Sequence, residues 1–106
     1  MNLSPDNAVV YSNLGLAYRK MGNFEKALEV YTSEIELTSN NPKAMNKRAF
    51  CHAKLGLYMN AVEDYTIALN GEPNNVHALH NRGICYQKLG KYNEVTIFLI
   101  MKIKGN

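Results

Sequence analysis

The chain has 106 residues, 46% apolar and 20% charged, with a formal net charge of +3. That is too apolar for a disordered segment and suits one small folded domain. The longest apolar run, Thr96 to Met101, falls far short of the roughly 20 residues that span a bilayer, and Met1 to Val10 has neither the basic start nor the apolar core of a signal peptide. The expectation is a cytoplasmic or nuclear protein with no membrane partner.

Residues 1–7 resemble the end of a repeat: Leu3, Pro5 and Asn7 match Leu69, Pro73 and Asn75 further on. They read as the tail of a preceding unit, as if the chain were a fragment of a longer array. From Ala8 to Met21, apolar residues at Val10, Tyr11, Leu14, Ala17, Tyr18 and Met21 follow the three-and-four spacing of an amphipathic helix. Gly22 suits a left-handed cap. A second helix from Glu25 carries Ala27, Leu28, Tyr31, Ile35 and Leu37 on one face.

A second unit opens at Pro42, a favourable first-turn residue, with helices to Leu55 and from about Met59 to Asn70, stopped by Gly71 and Pro73. A third runs from Val76 to Leu89, with a turn expected at Gly90 and a second helix from about Asn93. Lys20-Met21-Gly22-Asn23-Phe24, Lys54-Leu55-Gly56-Leu57-Tyr58 and Lys88-Leu89-Gly90-Lys91-Tyr92 recur at 34-residue intervals, the mark of a repeated helix–turn–helix unit. The units are therefore 8–41, 42–75 and 76–106, the last incomplete and divergent after 95.

Leu14-Gly15, Tyr18, Gly22, Phe24, Ala27 and Tyr31, then Ala49, Gly56, Tyr58, Ala61, Tyr65, Ala68 and Pro73, then Gly83, Tyr86, Gly90 and Tyr92 resemble the tetratricopeptide repeat. The resemblance covers about residues 2 to 95. It implies an all-α fold, a right-handed superhelical stack of antiparallel helix pairs (an α-solenoid), and a non-enzymatic interaction module or scaffold. Small Gly15, Ala49 and Gly83 should let paired helices approach, while Tyr18 and Tyr86 fill gaps between them. His52 departs from this pattern and reads as a hydrogen-bonded, semi-buried imidazole. After Glu94 the pattern fails: Val95, Ile97, Phe98, Leu99 and Lys102 stand where small, charged or aromatic residues are wanted. The run favours strand as much as helix, and Val95 to Ile103 is a candidate self-association surface.

All nine acidic residues fall outside the three expected first helices, and eight of the twelve basic ones fall inside: Arg19, Lys20, Lys43, Lys47, Arg48, Lys54, Arg82 and Lys88. Arg48 and Arg82 occupy the place of Leu14 and are expected to pair internally, for example with Asp64 or Glu63. In the family the first helices line a concave groove that grips an extended peptide. The resemblance places Val9, Ser12, Asn13, Leu16 and Lys20 there from the first unit. Lys43, Asn46, Lys47, Phe50 and Lys54 follow from the second, and His77, His80, Asn81, Ile84 and Lys88 from the third. A positive groove with apolar spots at Leu16, Phe50 and Ile84 suits an acidic or acidic-apolar peptide. One subclass binds chaperone C-terminal tails through a Lys, Asn, Asn, Lys, Arg clamp. The matching places hold Ser12, Leu16, Lys47, His77 and Asn81, so tail binding through that clamp is disfavoured.

Other chemistry finds little support. His77 and His80 are three apart on one helix but lack a third metal ligand, and no catalytic set, phosphate loop or cofactor site stands out. Cys51 and Cys85 occupy equivalent places and read as small buried groups, too far apart for a disulfide. Nucleic-acid binding on the basic face is a weaker alternative, because aromatics do not interleave with the lysines. A purely architectural spacer in a longer scaffold is the other reading.

Overall fold

The computed structural model describes residues 5–103, with side chains for 7–90, 99, 102 and 103. Its five elements are all helices: α1 (Pro5–Lys20), α2 (Phe24–Thr38), α3 (Pro42–Lys54), α4 (Tyr58–Gly71) and α5 (Val76–Ile103). Each packs on the next in sequence.

The first two hairpins turn identically. Gly22 and Gly56 both sit at φ 79°, a region that costs a Cβ-bearing residue about 1–2 kcal/mol. Asn23 N donates to Tyr18 O at 2.9 Å and Gly22 N to Arg19 O at 3.0 Å, and Leu57 N to His52 O at 2.8 Å and Gly56 N to Ala53 O at 3.0 Å. These bonds satisfy carbonyls that a helix end would otherwise leave open. At the opposite end, Asn41 Oδ1 accepts from Lys43 N and Ala44 N, and Asn75 Oδ1 from Ala78 N. These two asparagines, 34 apart, start α3 and α5. Asn7 stands at the same register but lies inside α1, which begins at Pro5, so residues 5–7 extend the first helix.

The core is built across units. Tyr31, 0% exposed, clusters with Ala27 and Cys51, and Tyr18, Phe24 and Leu28 pack against that cluster. The Tyr31 ring closes on Gly15, where a Cβ would overlap Tyr31 Cε1. One unit on, Tyr65 packs with Ala49, Ala61, Leu69, Ala78 and Cys85. Ile35, Ala44, Met45 and Ala68 seal the junction of the first two units. Both cysteines are buried and free, and burial pushes the Cys51 thiol up to about 11 against the opposing charge of Arg19.

The third unit departs from expectation. No turn forms at Gly90: α5 runs unbroken from Val76 to Ile103, about 42 Å at 1.5 Å per residue. Helix, not strand, is the backbone from Val95 to Ile103. Tyr86 is therefore 51% exposed and a Cβ on Gly83 would meet nothing within 4 Å, so neither packs as Tyr18 and Gly15 do. Register supplies a physical reason. Ala27 and Ala61 are 0% exposed, and Val95 stands at their place, so a helix folded back there would overfill its contact. Leu99 replaces buried Tyr31 and Tyr65 and is half exposed. The straight helix lengthens the molecule to 61 Å, with a radius of gyration of 16.7 Å against about 13 Å for a compact chain of 100 residues. The side chains of 95–98, 100 and 101, on which the self-association reading draws, lie outside the described residues.

Candidate functional site

Two adjoining concavities open between α3 and α5. One, of about 360 Å³, is lined by Arg19, Asn46, Lys47, Phe50, Tyr65, Asn75, His77, Ala78 and Asn81. The other, of about 200 Å³, is lined by Phe50, Ala53, Lys54, Tyr58, Tyr65, Asn81, Ile84, Cys85 and Lys88. Phe50, Tyr65 and Asn81 are common to both and form the ridge between them. The 34-residue register places Phe50 and Ile84 at equivalent points on α3 and α5, which is why both face the same space.

Of the expected groove residues, Asn46, Lys47, Phe50, Lys54, His77, Asn81, Ile84 and Lys88 meet there. Val9, Ser12, Asn13, Leu16, Lys20, Lys43 and His80 line neither concavity. Leu16 and Val9 are exposed on α1. Ser12 is tied to α3, its Oγ accepting from Lys47 Nζ at 2.6 Å. Among the described residues no group of three His, Cys, Asp or Glu is placed to hold a metal, and no described helix is long and apolar enough to cross a membrane.

The cations near the concavities divide into those with a partner inside the fold and those without a carboxylate. Lys47 is neutralised from within: its Nζ lies 3.2 Å from Glu34 Oε2 and 5.5 Å from the Tyr31 ring centroid, and Glu34 is only 7% exposed. Arg48 forms a two-pronged bond to Asp64, Nε to Oδ2 at 2.8 Å and Nη2 to Oδ1 at 2.9 Å. Among the described residues Arg82 takes no carboxylate, donating instead to Thr66 Oγ1 at 3.1 Å with its guanidinium 5.8 Å from the Tyr86 ring. His52 Nδ1 stands 3.1 Å from Asp64 Oδ2, off the line of a hydrogen bond. Burial opposes the Asp64 charge, but His52 and Arg48 outweigh it and hold the carboxyl below its ordinary range.

Arg19, Lys54 and Lys88 form the second set. Among the described residues no carboxylate pairs with any of them. Arg19 Cζ stands 4.8 Å and Lys54 Nζ 5.3 Å from the Phe50 ring centroid, and Phe24 braces that ring edge-on at 6.3 Å. Two expectations need correction. Lys47 is no free groove charge, because Glu34 reaches it from α2. The first helices are not free of acids either, since Asp6 lies in α1 and Glu94 in α5.

Sequence reasoning missed Arg19 and Tyr65. Arg19 continues the stripe Ser12, Leu16, Arg19 at helical spacing, a signal present in the sequence. Tyr65 belongs to a second helix and reads as core. It is 2% exposed, yet its hydroxyl has no aligned partner. Burial pushes that hydroxyl up to about 12, opposed by neighbouring Asn81.

Comparison with known proteins agrees with the helix-pair stack. The tetratricopeptide repeat family matches residues 8–33. The second tetratricopeptide domain of Spaghetti (RPAP3), bound to the HSP90 peptide SRMEEVD, superposes with a TM-score of 0.78 at 29% identity, over 87% of this chain and 85% of that one. This chain is a tetratricopeptide repeat protein. The second such domain of human RPAP3, in complex with the HSP70 peptide SGPTIEEVD, gives a TM-score of 0.77 at 28% identity over 97% of this chain and 89% of its own. The tetratricopeptide domain of Arabidopsis OM64 gives 0.78 at 29% identity over 84% and 74%. No curated protein matches the sequence. Among its structural neighbours, then, are tetratricopeptide domains bound to peptides that end in EEVD.

Proposed function

We propose that the chain is a non-enzymatic interaction module that binds an extended acidic-apolar segment of a partner protein in the concavities between α3 and α5. The observation that carries this reading is that Arg19, Lys54 and Lys88, which have no carboxylate partner among the described residues, line the concavities with half-buried Phe50 and exposed Ile84. Lys47 and Arg48 of α3, by contrast, are engaged by carboxylates within the fold. A ligand that brings its own carboxylates restores the missing charge, and leucine- or valine-like side chains cover the apolar surface. The peptide-bound RPAP3 structures support it, since SRMEEVD and SGPTIEEVD are both acidic.

The five clamp places hold Ser12, Leu16, Lys47, His77 and Asn81, with Lys47 engaged by Glu34. The proposed grip therefore lies one step away, on Arg19, Lys54 and Lys88. Chaperone tails belong in the test rather than outside it, because related domains bind them. Calorimetric titration with SRMEEVD should show binding that weakens with salt, and Lys54→Glu with Lys88→Glu should weaken it at least ~10-fold, or about 1.4 kcal/mol. Equal binding of a peptide with its glutamates replaced by glutamine would contradict the reading.

A further inference from the structure

We infer that the face of α5 bearing Leu79, Arg82, Gly83 and Tyr86 receives an amphipathic helix of a partner protein, one that carries an acidic residue followed directly by an aromatic. None of these four residues lines either concavity, so the inference is independent of the acidic-peptide reading.

The preceding unit shows what this face takes when it is complete. Met45, Ala49 and His52 on α3 stand 34 residues before Leu79, Gly83 and Tyr86, and with α4 packed on α3 they are only 1%, 0% and 9% exposed. On α5 the same places are open. Leu79 is 44% and Tyr86 51% exposed, and a Cβ on Gly83 would meet nothing within 4 Å. Spacings of four and three put Leu79, Gly83 and Tyr86 on one helical stripe.

Arg82 adds a polar requirement. Its counterpart Arg48 reaches back to Thr32 Oγ1 at 3.5 Å and across to Asp64 through two bonds of 2.8 and 2.9 Å. Arg82 repeats the backward contact, to Thr66 Oγ1 at 3.1 Å, and among the described residues no carboxylate faces it. A carboxylate placed as Asp64 is would complete the guanidinium's two-pronged, charge-assisted bond. Gly83 stands where Gly15 and Ala49 pack with Tyr31 and Tyr65. An aromatic directly after the acid, as Tyr65 follows Asp64, would fill the space above it.

The sequence assigns that helix to another protein. Phe98 and Leu99 stand at the places of Asp64 and Tyr65, so the chain's own continuation brings no acid to Arg82. Asp64-Tyr65 is the one acid–aromatic step in the sequence, and both residues are buried. A second copy therefore has none to offer.

The test uses the full chain and fluorescence anisotropy with a labelled peptide of the α4 sequence, Tyr58–Gly71. A staple joining the exposed positions 63 and 67 holds the peptide helical. It should bind saturably. Asp64→Asn in the peptide and Arg82→Gln in the chain should each weaken binding at least ~10-fold. Gly83→Phe, which fills the open space, should abolish it, whereas Lys54→Gln in the concavity should leave it unchanged. Circular dichroism checks that each variant folds. Absence of binding, or binding that survives both Arg82→Gln and Gly83→Phe, overturns the inference and leaves the acidic-peptide groove standing. Loss of binding with Lys54→Gln but not with Arg82→Gln moves the peptide to the groove and also overturns it. A dimer in sedimentation velocity that Gly83→Phe dissociates gives the face to a second copy and overturns the assignment to a partner protein.

Discussion

Asp64 shows how a single residue's commitments decide what remains for function. It is 4% exposed, holds Arg48 with two bonds and faces His52. Breaking such a buried pair leaves a charge without compensation, so Asp64→Ala should destabilise the fold by about 3 kcal/mol in chemical denaturation. The carboxyl is held below its unfolded value of about 3.9. Its contribution is therefore complete above pH ~4 and lost as pH falls through the lower folded value. The repeat supplies its own control, because Leu14 and Val30 occupy the places of Arg48 and Asp64 one unit earlier. The double variant Arg48→Leu with Asp64→Val should recover most of the loss and blunt the acid sensitivity, since an apolar pair avoids the desolvation cost. The Arg48–Asp64 pair was readable because Arg48 stands where the first unit has Leu14. The Lys47–Glu34 pair was not: Glu34 sits in a second helix that the register places away from the groove, and only packing shows its side chain turning inward.

Among the elements, the 34-residue ruler found α2, α3 and α4 to within a residue or two and placed the glycine turns at Gly22 and Gly56, though not the left-handed pair Ser39 and Asn40 between α2 and α3. It failed at Gly90, where the same Lys, apolar, Gly and aromatic pattern lies inside a continuous helix. A turn motif closes only when the helix beyond it has something to bury, and Val95 in place of Ala27 and Ala61 removes that gain. The sign of one substitution distinguishes the two states. In the straight helix Gly90→Ala should stabilise by ~0.5–1 kcal/mol, because it relieves glycine's entropy cost in a helix. In a closed turn with the φ of Gly22 it would destabilise by about 1–2 kcal/mol. Thermal unfolding of the two proteins gives the answer.

For the whole molecule, register explains why Phe50 and Ile84 converge and why Lys54 and Lys88, 34 residues apart, line the same concavity. What it could not supply was the sorting of those charges into neutralised and free. That depends on pairs 13 and 16 residues apart, across helices, whose partners differ from one unit to the next. Arg19 and Tyr65 escaped for a related reason: their roles come from the gap between α3 and α5, a feature of no single helix. The measurement that tests the concave site most directly is a heteronuclear NMR titration of the labelled chain with SRMEEVD. Shifts concentrated at Asn46, Phe50, Asn81 and Ile84, and abolished by Lys54→Glu with Lys88→Glu, are the expected result. Shifts confined to α1 and α2, or unchanged by those substitutions, would contradict it.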